Sequence, residues 1–136
     1  MNTATSSAPA QPSKARLITG WILCLIPGAL VLMGAAMNLL RVPQAVEGAK
    51  QMGFPDSAVL TIGILALLSA VLFLIPKTAV LGGLMMTAYF GGAVATHVHV
   101  NDGNWPFPVI CGLLTWVGLA LRDDRLRALL PLRSAR

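Results

Sequence analysis

Four polar side chains of this 136-residue, largely apolar chain could take part in proton transfer or ligand binding: Asn38, Arg41, Tyr89 and His97. Histidine is a common proton donor and acceptor in proteins, so His97 suits proton transfer coupled to another reaction. Further polar groups lie in the adjoining segments: Glu47, Lys50, Asp56, His99 and Asp102. Polar groups within apolar spans are costly unless they are used or paired. We therefore expect a small-molecule site with His97 as the candidate catalytic residue, assisted by Tyr89 or Asn38.

A structural interpretation of the same residues also stays open. In it, Arg41 pairs with Glu47 or Asp56, and His97 bonds to a backbone carbonyl group. The polar residues would then form a collar that only stabilises one end of the fold.

Other kinds of site are disfavoured by residue spacing. His97 and His99 would project about 200° apart on a helix, so they form no metal pair, and we predict no metal site. Cys24 and Cys111 fall at different heights of their spans, which argues against a disulfide. We expect both cysteines, and the methionines of the spans, to act as packing residues.

Four uncharged segments must position the candidate residues: Leu17–Leu40, Val59–Ile75, Thr78–Thr96 and Trp105–Leu121. As helices they would be roughly 25 to 36 Å long, close to the ~30 Å hydrocarbon core of a bilayer. Hydrophobic residues make up 56% of the chain and charged residues 11%, against roughly 25% charged residues in soluble domains. The sequence predicts an all-α bundle of four transmembrane helices, at about 17–40, 58–75, 78–98 and 105–121.

The distribution of basic residues predicts the orientation of this bundle. On one side of the spans, the loops carry only two basic residues, Arg41 and Lys50. On the other side, the connecting segments carry Lys14, Arg16, Lys77 and five arginines from Arg122 onward. By the positive-inside rule both termini are cytoplasmic, in a bacterial-type inner membrane. The net charge of +5 is thus explained by topology, and no nucleic-acid partner is expected.

The chain divides into a disordered tail at 1–13, a single membrane domain at 14–132 and a basic tail at 133–136. Within the domain, residues 123–132 predict an amphipathic segment that lies on anionic lipid headgroups through Leu126, Leu129 and Leu130. A cleaved signal peptide is the alternative for the N-terminus, although the first apolar run is longer than the usual ~7 to 15 residues.

Small residues recur every fourth position in the third span, at Gly83, Thr87, Gly91 and Ala95. Such a stripe lets helix backbones approach closely within a membrane. We expect it to be a helix-packing face of the bundle, with a homodimer seam as the alternative.

The chain resembles the DoxX-like family of small four-helix membrane proteins from Ala15 to about Leu130. The similarity lies in the order and spacing of short elements along the chain. They are Gly53-Phe54-Pro55, Ile75-Pro76 with Lys77 as a basic turn, Gly91-Gly92-Ala93 before His97, Pro106-Phe107-Pro108, and the arginine-rich end.

This resemblance implies an accessory or quinone-reactive subunit of a membrane redox system, since the family takes its name from a membrane subunit of a thiosulfate:quinone oxidoreductase. A quinone is the cofactor that it suggests, and no covalently bound group is expected. Many members carry Glu or Lys near the middle of the second helix, where this chain has Ala66.

Two other functions are considered. One is a non-enzymatic scaffold that stabilises a membrane or periplasmic protein partner, and the other is a small-solute transporter. The transporter is disfavoured because His97 is the only titratable group that we place within the spans and because we detect no inverted repeat. Membrane lipid is the remaining expected partner.

Overall fold

The computed structural model describes residues 11–129, and this part of the chain is helical without strands. The predicted all-α class is therefore confirmed. The predicted basic tail and most of the predicted N-terminal tail lie outside the described residues. The helices are α1 (Lys14–Leu39), α2 (Pro43–Gln51), α3 (Ala58–Leu74), α4 (Ala79–Val100), α5 (Pro106–Arg122) and α6 (Asp124–Leu129).

The helix ends follow local chemistry. The Ser13 side chain accepts a hydrogen bond from the backbone N–H of Arg16 and so caps α1. Prolines occupy the first turns of α2 and α5, where the missing N–H costs nothing. Helix α4 continues two residues past its expected end and stops at Asn101, which adopts the left-handed conformation at φ 53°.

The four long helices form a closed ring. Helix α1 packs against α3 and α5, and α4 packs against the same two neighbours. Helix α2 lies outside the ring, against α1 and α3. This arrangement places the end of α1, the loop between α2 and α3, and the end of α4 in the same half of the bundle.

Glycines set the tightest contacts of the ring. A Cβ atom on Gly82 would overlap the backbone nitrogen of Phe73, so α3 and α4 touch through their backbones there. A Cβ atom on Gly118 would lie 2.6 Å from Cys24 Sγ, between α5 and α1. The buried core around these contacts includes Phe73, Met86 and Leu119.

Large apolar side chains remain exposed on the outer faces of the ring. Ile18 is 60% exposed, Leu84 56% and Leu113 62%. Helices α1 and α4 are long and apolar enough to cross a membrane, whereas α3 and α5 are shorter apolar helices of 17 residues. Faces of this kind are energetically unfavourable in water and suit an apolar solvent.

The small-residue stripe of α4 divides into two halves. Gly83 faces Leu119 of α5, and Thr87 accepts a hydrogen bond of 2.8 Å from Trp116 Nε1, also on α5. Around Gly91 no atom lies within 4 Å of a built Cβ. Ala95 is exposed. Only the first half of the stripe therefore packs inside the described bundle.

The predicted amphipathic segment contains the short helix α6, while its residues 130–132 lie outside the described part. Leu126 is buried at 7% exposure, whereas Leu129 is 81% exposed. These two leucines therefore lie in different environments: Leu126 joins the core cluster, and Leu129 is left on the outside.

Candidate functional site

A cavity of about 500 Å³ lies in the half of the bundle where α2 and the end of α4 meet. Its wall is almost entirely apolar. The polar side chains in it are the hydroxyls of Tyr89 and Thr96 and the imidazole of His97. The lining residues are Met52, Phe54, Ile62, Leu65, Ala88, Tyr89, Gly92, Ala93, Thr96 and His97. A largely apolar cavity with a few polar groups is the usual form of a small-molecule site.

A second cavity of about 320 Å³ adjoins the first and extends toward α1 and α2. Asn38 and Met37 line it from α1, and Gly48 lines it from α2. The two cavities share four lining residues: Met52, Phe54, Ile62 and Tyr89. These four side chains form the partition between the two spaces.

His97 is held by an ionised partner. Its Nδ1 lies 2.7 Å from Oδ2 of Asp102, in the loop after α4. The other carboxylate oxygen of Asp102 accepts a hydrogen bond from the backbone N–H of Asn104. This backbone hydrogen bond, and then the contact with His97, lower the pKa of Asp102 below its usual value.

This arrangement fixes the orientation of the imidazole. With Nδ1–H donating to the Asp102 carboxylate, Nε2 has no hydrogen-bond partner among the described residues. A histidine whose one nitrogen is fixed by a carboxylate can accept and donate a proton at the other. His97 borders the larger cavity, so a ligand there lies next to this ring.

Tyr89 lies at the centre of the site, on the partition between the cavities. Its ring packs edge-on against Phe90, with 5.9 Å between the centroids. Across residues 11–129 its hydroxyl group makes no hydrogen bond to another side chain. The phenol can therefore bind a polar atom of a ligand in either cavity.

Asn38 and Arg41 are less available to a ligand of the larger cavity. The Asn38 amide donates a hydrogen bond of 2.8 Å to the carbonyl of Gly34 and borders only the smaller cavity. Arg41, in the left-handed conformation at φ 50°, pairs with Asp56 and lines neither cavity. The structure thus brings Tyr89 and His97 together on one cavity and places Asn38 beside Tyr89 on the other.

The collar interpretation describes part of this geometry. Arg41 pairs with Asp56, one of its two expected partners. His97, however, bonds to the carboxylate of Asp102 instead of a backbone carbonyl. His99 is exposed and lines neither cavity.

Of the residues that line the larger cavity, only Tyr89 and His97 were among the sequence candidates, and Met52, Phe54 and Ile62 are among those that were missed. The signal that could have indicated them is the Gly53-Phe54-Pro55 element, because Gly53 has a positive φ of 82° and turns the chain back over the helix ends. Ala66, in contrast, is fully buried in the core. Helix α3, the second of the four long helices, therefore brings no titratable group to the bundle interior at this position.

Among residues 11–129, no group of three or more His, Cys, Asp and Glu side chains could hold a metal ion. Cys24 and Cys111 are both free and buried.

The fold and the cavities describe a small, apolar, all-helical protein with ligand-sized spaces at one end of its bundle. Residues 22–118 match the sequence model of the DoxX-like family. The match covers more than half of the chain, so the chain belongs to this membrane-associated family, and the resemblance seen in the sequence is confirmed. No curated protein and no solved structure matches the chain.

Proposed function

We propose that this protein crosses the bacterial inner membrane four times and binds a quinone in its larger cavity, as the quinone-reactive subunit of a membrane redox system. The observation that carries this proposal is an apolar cavity of about 500 Å³ bordered by both Tyr89 and His97. A quinone needs an apolar slot for its ring and a hydrogen-bonding group at its oxygen atoms, and the cavity offers both.

The membrane assignment rests on the outer faces of the ring and on helix length. At ~1.5 Å per residue, α1 and α4 are roughly 39 and 33 Å long, and α3 and α5 roughly 25 Å. Their outward side chains are apolar, which suits lipid contact. The excess of basic residues on the side of Lys14, Lys77 and Arg122 favours cytoplasmic termini, with the cavity in the periplasmic half.

The chemistry requires two electrons and two protons for each quinone reduced to a quinol. The electrons would come from a partner protein that carries a redox group. His97 would take up a proton from water at Nε2 and pass it to one quinone oxygen, while Asp102 holds the ring in place through Nδ1. The second proton would come from water. The Tyr89 hydroxyl would hold the ligand by a hydrogen bond, and Phe54 would cover its ring.

The test uses decylubiquinone, a short-chain quinone, and the full-length protein in lipid nanodiscs. Two adjacent glycines provide a matched pair, because a Cβ atom on either meets nothing within 4 Å, while only Gly92 lines the cavity. Gly92→Phe should fill the cavity and abolish saturable binding, and Gly91→Phe should bind like the unmodified protein. Binding that survives Gly92→Phe, or that neither form shows, would refute the proposal.

A second candidate is a non-enzymatic scaffold that stabilises a partner protein or a second copy of the chain. The open half of the α4 stripe, around Gly91 and Ala95, favours it because small residues there leave room for another helix. Gly91→Leu should then abolish the complex while the monomer stays folded. Isolation of a stable complex without bound quinone would favour this function over the first.

A further inference from the structure

Arg122 occupies a fixed position at the opposite end of the bundle from the quinone cavity. It is the last residue of α5, and its guanidinium carbon lies 3.5 Å from the centre of the Trp21 ring of α1. The methylene chain of Arg122 lies against Gly20, where a Cβ atom would come within 2.8 Å of Cγ. The stacking on Trp21 and this close contact orient the guanidinium between two helices.

One donor of this guanidinium has no partner. Arg122 Nη1 is buried and makes no hydrogen bond to any residue that the structure describes. A buried charged donor without an acceptor is costly, so an acceptor from outside the chain would be strongly favoured. Arg122 also borders a third cavity, of about 230 Å³.

The lining of this third cavity combines two charged side chains, Arg122 and Asp123, with apolar groups. Leu17, Val80 and Leu119 contribute aliphatic side chains, and Trp21 contributes its ring. The ligand that fits this lining has an anionic group at one end and a hydrocarbon part at the other. The volume is below the roughly 300 to 1,000 Å³ of sites that enclose a whole small molecule, so only part of such a ligand is accommodated.

The nearby charges favour an anion. Asp123 also borders the cavity, but its Oδ1 already accepts the backbone N–H of Arg125 at 2.8 Å, at the start of α6. Asp124 pairs with both Arg16 and Arg127. The segments at this end thus carry two carboxylates and four arginines, so their net charge is positive. The arginines are Arg16, Arg122, Arg125 and Arg127.

We propose that the cavity at Arg122 binds the phosphate group of an anionic phospholipid. The guanidinium donates Nη1–H to a phosphate oxygen, and the glycerol and first methylene groups lie against Leu17 and Val80. A lipid is favoured over free phosphate because the lining is apolar apart from Arg122 and Asp123. Basic pockets between helices are known to recognise lipid headgroups in this way.

The experiment is native mass spectrometry of the full-length protein with added phosphatidylglycerol or phosphatidylcholine. Both lipids carry a phosphate, but only phosphatidylcholine also carries a quaternary ammonium, which cancels the net negative charge that attracts the guanidinium. The unmodified protein should therefore retain one phosphatidylglycerol molecule roughly fivefold more strongly than phosphatidylcholine, as expected for one arginine beside an anionic headgroup. Arg122→Gln should remove this preference. The matched control is Arg125→Gln, because Arg125 is exposed and does not line the cavity.

Each other outcome would overturn the proposal. These are no preference in the unmodified protein, a preference that survives Arg122→Gln, and an equal loss in Arg125→Gln, which would indicate diffuse charge attraction. Stabilisation against heat by inorganic phosphate, lost in Arg122→Gln, would assign the site to free phosphate instead. If Arg122→Gln does not fold, Trp21→Leu provides the test, and an unchanged preference there would refute the site.

Discussion

The two nitrogens of His97 have different roles in the proposed site. Nδ1 is 2.7 Å from the Asp102 carboxylate, and Nε2 is the atom left for a ligand. His99, two residues later, is exposed and borders neither cavity. Substituting His97 and His99 one at a time therefore distinguishes a ligand-binding role of His97 from the general effect of losing a histidine near the end of α4.

His97→Ala should weaken decylubiquinone binding roughly threefold to tenfold, because one hydrogen bond is worth about 0.5 to 1.5 kcal/mol. Titration in nanodiscs measures this directly, with His99→Ala as the control that should bind normally. His97→Gln separates bonding from proton transfer: its amide can still bond to the quinone, but it cannot exchange a proton. Unchanged binding in His97→Ala would remove this residue from the site.

The pH dependence of the loop after α4 follows from the lowered pKa of Asp102. A carboxyl group whose pKa falls on folding stabilises the fold at pH values above its unfolded pKa, and this stabilisation is lost as the pH falls through the folded pKa. Asp102 should therefore stay ionised at pH 5, and lose its contacts only below the usual value of 3.8.

Amide hydrogen exchange of Asn104, corrected for its intrinsic pH dependence, reports on this contact because its N–H donates to Asp102. Protection should be constant from pH 8 to pH 5 and should fall in stronger acid. Asp102→Asn should remove that acid-dependent step. A loss of protection between pH 7 and pH 5 in the unmodified protein would contradict the assigned role of Asp102.

At the scale of helices, backbone contact between α3 and α4 fixes the wall of the larger cavity. Gly82 lets α4 touch the backbone of Phe73, and the chain of α4 then leads directly to Tyr89 and His97. Any residue with a side chain at position 82 must push the two helices apart. The cavity shape thus depends on a contact about 15 residues along the chain from the imidazole.

Gly82→Ala should destabilise the bundle by about 1 to 3 kcal/mol, the usual cost of overpacking. Gly91→Ala has no atom to displace, and we expect stability equal to or slightly above that of the unmodified protein. Thermal unfolding followed by circular dichroism in one detergent compares the two. Equal stability of both variants would show that the α3–α4 contact is looser than described.

The sequence predicts helices better than it predicts the site. Uncharged runs define the four long helices because an apolar helix is favoured in both lipid and protein interiors, and their ends differ from expectation by at most a few residues. The pairing of His97 with Asp102 depends on how the loop turns at Asn101, which adopts a left-handed conformation. The position of Phe54 between two cavities results from long-range packing, which apolar patterning does not encode.

Considered as a whole molecule, the protein has two ends with different chemistry. His97, Tyr89 and the two apolar cavities lie at the end of the bundle near α2. Trp21 and Arg122 lie at the opposite end, where α1 begins and α5 ends. If the basic end is cytoplasmic, quinone would enter from the periplasmic half of the bilayer, and anionic lipid would anchor the cytoplasmic half.

This orientation can be tested by labelling single cysteines in intact bacterial cells. The native Cys24 and Cys111 are 0% and 2% exposed, so a membrane-impermeant maleimide should leave them unmodified. Asn104→Cys places an exposed thiol in the loop after α4 and avoids Asn101, whose left-handed conformation disfavours other residues. Gln11→Cys places the matched thiol before α1.

Asn104→Cys should react in intact cells, and Gln11→Cys only after the cells are permeabilised, because eight basic residues lie on the side of Gln11 and two on the other. A reporter fused after Arg136 should be active in the cytoplasm. The reverse labelling pattern would invert the bundle and place the quinone cavity in the cytoplasmic half. Labelling of both positions in intact cells would show that the chain crosses the membrane an even number of times between Gln11 and Asn104, instead of the three crossings by α1, α3 and α4, and the four-span assignment would then be wrong.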